Sequence, residues 1–158
     1  MENINIILGR IDNRLVHGQV GVTWTNYIGA NLIVVVDDEV EKDQTQQEIM
    51  ELTAITSGAD IRFFSVEKTI NIIGNASPDQ KIFIITRTPY EMKKLLEGGV
   101  PIKKVNIGNM HFDEGKRQIA LKVFVDDKDI ENIRAIKKTG VDLFIQDIPG
   151  KPIEKLEI

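Results

Sequence analysis

The sequence predicts an α/β fold: an open, mostly parallel twisted sheet with helices on both faces. Three observations predict it. Short runs of Ile and Val recur along the chain and are continuous rather than alternating, which suits strands buried on both faces of a parallel sheet. Between them lie segments whose apolar residues repeat at helical spacing. Glycines and a capping motif punctuate the joints. Strand-helix alternation of this kind implies right-handed βαβ crossovers.

The elements follow in chain order. Residues 4–8 form the first strand-like run, and Val20, Trp24, Tyr27 and Ile28 then share one helical face. Residues 32–37 are the second strand, followed by a helix marked by Ile49, Leu52 and Ile55. Residues 61–64 are the third, followed by a short helix with Val66, Ile70 and Ile73. After the fourth strand, 82–86, Thr88-Pro89-Tyr90-Glu91 reads as a capping box with Pro at the first helical position. It opens a helix carrying Met92, Leu95 and Leu96, and residues 105–107 are the fifth strand. Residues 109–127 are less regular and predict a short hairpin or an added edge strand, with Val123–Val125 strand-like. Ile130, Ile133 and Ile136 mark the last helix, and 141–146 the last strand. Gly29, Gly58, Gly74, Gly98 and Gly140 each follow a helical segment, where a left-handed residue is wanted. Pro149-Gly150 predicts a turn that brings the tail, 153–158, back as a hairpin. No linker or repeat interrupts the pattern, so one domain over residues 1–158 is expected.

Composition narrows the function. The chain has 158 residues, enough to bury a core, with a net charge of −4. That balance speaks against a general nucleic-acid-binding surface. The absence of cysteine excludes disulfides, thiolate catalysis and Cys-based metal sites. With two histidines, a His-rich metal site is not expected. The N-terminal run is short and lacks a basic flank, and no apolar window is long enough for a membrane span. A soluble cytoplasmic protein is expected, with peripheral contact to a membrane complex left open.

The chemistry concentrates in R-I-D-N-R-L-V-H-G-Q-V, residues 10–20. In open α/β sheets, ligands bind at the carboxyl ends of strands, where this stretch lies. A helix begins near Gly18, and its free N–H groups and dipole favour an anion. Arg10 and Arg14 carry forks that suit phosphate oxygens. Gly18 lets the backbone approach a ligand closely. Two adjacent arginines argue against His17 as a metal ligand. By residue type His17 is a general base, or a nucleophile that becomes phosphorylated. Arginines favour the second, because they balance the charge of a transferring phosphoryl group. Asp12 either holds an imidazole nitrogen or orients an arginine. Each residue alone has a plainer reading: a solvated histidine, surface arginines, a loop-capping aspartate. Their combination at a strand end argues for function.

Other candidates are weaker. Asp37-Asp38-Glu39 and Thr86-Arg87-Thr88 end the second and fourth strands, but helix capping explains much of both. His111 reads as structural or exposed. No glycine-rich dinucleotide fingerprint or P-loop is present.

The stretch at 10–20 resembles the N-terminal signature of IIB subunits of the mannose/fructose/sorbose-type bacterial sugar phosphotransferase system (PTS), roughly R-[IV]-D-x-R-L-[IV]-H-G-Q-V. T-W-T at 23–25, I-V-V-V-D-D-E-V at 33–40, V-D-D-K-D at 125–129 and G-V-D-L at 140–143 are similar as well. L-L-E-G-G-V-P-I-K-K-V-N-I-G-N-M at 95–110 resembles the family's L-x-x-G-G-[IV]-x-[IL]-x-x-[IV]-N-[IVL]-G-G-M. Asn109 departs from it, standing where a second glycine is usual, so a reshaped loop is expected there.

The resemblance implies the α/β sorbose-type IIB fold and a cytoplasmic phosphocarrier. It would accept a phosphoryl group from phospho-IIA on His17, at Nδ1, and pass it to sugar at membrane IIC/IID components. Arg14 and Asp12 would act beside His17, with Arg10, Gly18 and Gln19 binding the phosphoryl group. No cofactor or metal is implied, and a homodimer is. Two other functions stay open at this point: a stand-alone phosphohydrolase using His17, and a non-catalytic anion-binding regulatory module.

Overall fold

The structure, a computed structural model, describes residues 3–158. Strand β1 (Asn5–Asp12) leads to helix α1 (Gly18–Ile28), β2 (Leu32–Val36) and α2 (Gln44–Ile55). β3 (Asp60–Phe64), α3 (Val66–Ile72), β4 (Lys81–Thr86) and α4 (Pro89–Glu97) follow. Then come β5 (Lys104–Asn109), β6 (Arg117–Ala120), β7 (Val123–Val125), α5 (Asp127–Lys138) and β8 (Asp142–Ile145). Six strands form one sheet in the order β3-β2-β4-β1-β5-β8, and every neighbouring pair is parallel. β6 and β7 pair as a separate antiparallel ribbon, the hairpin expected between 109 and 127.

The inner strands β2 and β4 are apolar on both sides because both sides are covered. Leu8, Trp24, Ile33, Val35, Met50 and Phe83 pack α1 and α2 onto one face. Ile82, Ile84, Met92, Leu95, Ile107 and Ile133 belong to the larger cluster on the other. This split follows from chain direction. From β1 the chain moves across the sheet one way, through α1 to β2; from β4 it moves the other way, through α4 to β5. With right-handed crossovers these two helices must lie on opposite faces. β1 and β4 are neighbours, so their carboxyl ends flank the topological switch point, where α/β sheets open a crevice.

Several expectations need correction. β1 runs to Asp12, not to residue 8, so Arg10 and Asp12 are buried strand residues rather than loop residues. Their charges hide each other, which a charge-based reading of a loop misses. The three residues that mark α2 lie on it but face outward: Ile49, Leu52 and Ile55 are 59%, 69% and 71% exposed. Met50 and Ala54 face the sheet instead. Tyr27 of α1 likewise points outward. The tail makes a single antiparallel bridge, Ile145 to Glu154, and not a full hairpin strand. Among the five glycines expected to be left-handed, Gly74 and Gly98 are not. At Gly98 the constraint is space, since a Cβ there would meet Ile70 at 2.5 Å. The capping box at Thr88 and Glu91 is present as expected.

Candidate functional site

Asp12 is the last residue of β1 and the centre of the site. Its Oδ1 accepts from the Arg14 backbone N–H at 3.0 Å, and its carbonyl accepts from Leu15 N at 3.0 Å, which turns the chain sharply. Leu15 is buried yet has a φ of 58°, the one non-glycine residue with positive φ among the described residues. That left-handed backbone costs about 1–2 kcal/mol, offset by burying the side chain. The turn delivers His17 to the N-cap position of α1. No side chain caps this helix and its first turn holds no acidic residue, so its free N–H groups are left for an anion. Gly18 opens the helix at φ 47°, a conformation that favours glycine.

The His17 ring is partly exposed, and its Nε2 lies 3.1 Å from Asp12 Oδ2. A carboxylate only accepts, so Nε2 carries the hydrogen, and in the neutral ring the lone pair is on Nδ1. Nδ1 has no hydrogen-bond partner among the described residues. The Asp12 carboxyl is held below the usual carboxylate range. Burial pushes it up, but the His17 hydrogen bond, the Arg10 charge and the Arg14 N–H together outweigh burial. Asp12 is therefore an anion that fixes both the orientation and the tautomer of the ring.

Beneath this pair lies Arg10, 2% exposed. Its Nη2 donates to Asp12 Oδ2 at 3.0 Å, and its Nη1 donates to Asn106 Oδ1 at 2.6 Å and to the Gln146 carbonyl at 3.2 Å. The Asp147 carboxylate is 4.0 Å away. The guanidinium also sits 5.3 Å from the centre of the Trp24 ring, a cation–π contact. Trp24 donates from Nε1 to the Asp147 carbonyl at 2.9 Å, holding that loop in place. Burial lowers the Arg10 pKa, while Asp12 and Asp147 raise it. Gly108 is needed here, because a Cβ would meet Arg10 Cζ at 2.0 Å. Arg14 differs in every respect: it is exposed, and its guanidinium has no hydrogen-bond or ion-pair partner among the described residues. Gln19 is exposed in the first turn of α1. The six expected site residues thus divide into a buried floor, Arg10 and Asp12, and an outer layer of Arg14, His17, Gly18 and Gln19.

The turn is also tied sideways. Asn13 N donates to the Asn109 carbonyl at 3.0 Å, and Asn13 Oδ1 accepts from His111 N. Asn13 Nδ2 donates to the Arg87 carbonyl at 3.1 Å, and Arg87 Nη1 donates back to the Asn13 carbonyl at 2.8 Å. Arg87 Nε reaches Asp37 Oδ2 at 3.1 Å, while Asp37 Oδ1 caps the short 3-10 turn Val40–Lys42 through Glu39 and Val40 N–H groups. Asn109 adopts no left-handed conformation, so asparagine fits at the end of β5 without strain.

Comparison with known proteins identifies the family and the fold. The family model described as the PTS system sorbose subfamily IIB component matches residues 6–157. The chain belongs to the sorbose subfamily of PTS IIB components. A relative from Escherichia coli (strain K12), the "N-acetylgalactosamine-specific phosphotransferase enzyme IIB component 1", is 62% identical and aligns over 99% of each chain. The crystal structure of an N-acetylgalactosamine-specific IIB component 1 from Escherichia coli superimposes with a TM-score of 0.94 at 62% identity, covering 97% of this chain and 100% of that one. That of an N-acetyl-galactosamine IIB component from Streptococcus pyogenes gives 0.87 at 40% identity, covering 94% and 91%. The chain is thus a component of a sugar phosphotransferase system with the α/β fold of that subfamily.

In this IIB component, sequence reading did not find Asn106, Trp24, Asp147 or Asn13. Asn106 gave one usable signal, an amide inside an otherwise apolar strand. Asn13, Trp24 and Asp147 gave none as site residues, because their partners are distant in the chain, 123 residues for the Trp24–Asp147 hydrogen bond. Among the described residues, no helix is long and apolar enough to cross a membrane.

Proposed function

We propose that this IIB component carries a phosphoryl group on Nδ1 of His17, taking it from phosphohistidine on a IIA partner and passing it to sugar at membrane IIC/IID components. One observation carries this reading. Asp12 holds Nε2–H, which leaves a nucleophilic Nδ1 at the uncapped N-terminus of α1. The Nδ1 lone pair attacks phosphorus while the donor's N–P bond breaks and its electron pair returns to the donor imidazole. The His17 ring becomes cationic, and Asp12 stabilises it through Nε2–H. Arg14, Gly18 and Gln19 face the phosphoryl oxygens from outside. Arg10 lies too deep in its own hydrogen bonds to serve there as the resemblance implied; its role is to hold Asp12 ionised and in place. A partly exposed ring suits a carrier that two partners must reach.

Relatives named for N-acetylgalactosamine support that amino sugar as the cargo of the system. A place at the inner face of the membrane, reached through the permease, and a homodimer belong to the same reading. Phosphoenolpyruvate, the general PTS proteins and a IIA component are the reagents for the test, with the adduct mapped by mass spectrometry. An acid-labile, base-stable phosphoryl group on His17 is expected. Equal labelling of His17→Ala would overturn the assignment.

A further inference from the structure

The turn carrying His17 holds a left-handed, buried Leu15, and it touches the rest of the sheet sideways through Asn13 alone among its polar side chains with partners across the switch point. Asn13 and Arg87 exchange two hydrogen bonds, each from one residue's side chain to the other's carbonyl. They bridge the ends of β1 and β4, the two strands whose connections diverge at the crevice. Arg87 is itself aimed by Asp37, a buried aspartate at the end of β2. Three strand ends are therefore joined by one guanidinium fork. Neither Asn13 nor Arg87 hydrogen-bonds to the His17 ring.

We infer that the Asn13–Arg87 clasp, braced by Asp37, is a positioning device for the phosphoryl-carrying turn: it keeps the strained turn from relaxing and so keeps His17 on Asp12 with Nδ1 free. The inference rests on the carrier role of His17. A turn freed from the clasp relaxes toward ordinary backbone angles, and the ring then leaves Asp12 part of the time and samples both tautomers. Small misplacements of a reacting group lower rates steeply, since the aligned geometry is what removes the entropic part of the barrier. An arginine is required because its planar fork reaches Asp37 and the Asn13 carbonyl together, which a lysine ammonium does not.

The test compares phosphoryl transfer from phospho-IIA to the full chain and its variants, together with ring-nitrogen NMR of His17. For Arg87→Ala the maximal transfer rate should fall about tenfold, with the half-saturating phospho-IIA concentration within about twofold of wild type. Its His17 spectrum should change from the Nε2–H tautomer to a mixture. Arg87→Lys should recover only part of the rate. Asp37→Asn keeps the capping oxygen but turns an amide toward Arg87, and should cost about two- to fivefold in maximal rate; it decides the matter should Arg87→Ala fail to fold. Wild-type maximal rates with wild-type ring spectra in folded variants would overturn the inference. So would a raised half-saturating concentration at an unchanged maximal rate, which would make Arg87 a contact for the partner. A wild-type chain that takes no phosphoryl group on His17 would instead remove the carrier role itself, and the clasp's function with it.

Discussion

Arg10 and Arg14 stand four residues apart in one motif and occupy opposite environments. Arg10 is buried under His17, paired with Asp12, packed against Trp24 and bonded to Asn106 and Gln146. Arg14 lies on the surface, its guanidinium without a hydrogen-bond or ion-pair partner among the described residues. The difference is that strand geometry holds the first and a turn releases the second. A charge in the floor acts through the anion it steadies, whereas under the proposed carrier role a charge at the rim meets the phosphoryl group. Hence the same residue type should show up in different measurements, stability for one and transfer rate for the other.

Substitutions can break that contrast, beginning with the largest effect on stability. Arg10→Ala leaves Asp12 buried without its ion partner, and chemical denaturation should record a loss of about 3–5 kcal/mol. If the loss were under 1 kcal/mol, Arg10 would not be part of the floor. Gly108→Ala pushes a methyl group into the Arg10 guanidinium, and about 1–3 kcal/mol of destabilisation is expected from the overpacking. Arg14→Ala should leave stability within about 0.5 kcal/mol, as for other exposed sites. Its maximal phosphoryl-transfer rate should nevertheless drop by about 100-fold, measured with phospho-IIA as donor. An unchanged rate would erase the distinction between floor and rim.

The smallest expected effect sharpens the role of Asp12. Its native pKa lies below the ordinary 3.8, so the unfolded chain binds this proton more tightly than the folded one. The stability it contributes is complete above that ordinary value and is lost as pH falls through the lower native one. Denaturation midpoints across that acid range should therefore decline for the wild type and decline less for Asp12→Asn. Parallel declines would mean that other carboxylates set the acid limit.

Much of this was legible in the sequence. Leu32–Val36 reads as a buried strand because both its faces are apolar, and all five residues are buried. Thr88 and Glu91 read as a capping box because a cap is a local hydrogen-bond pattern. His17, Asp12 and Arg14 stand out together because their spacing is short. The α2 face was not legible: Ile49, Leu52 and Ile55 repeat as well as Met50 and Ala54 do, and periodicity cannot tell which stripe meets a sheet. Nor was the end of β1, because Arg10 and Asp12 look like solvent residues until each is seen to satisfy the other.

The sequence by itself determined the strands, the order of helices between them, and the histidine poised before a helix start. These depend on local periodicity, capping and short spacing, all of which are written within a few residues. Tertiary structure alone decided that Arg10 is a buried support, that Gly108 must lack a side chain, and that Asn13 meets Arg87 across 74 residues of chain. Those outcomes depend on which strands become neighbours, and only the folded sheet sets that.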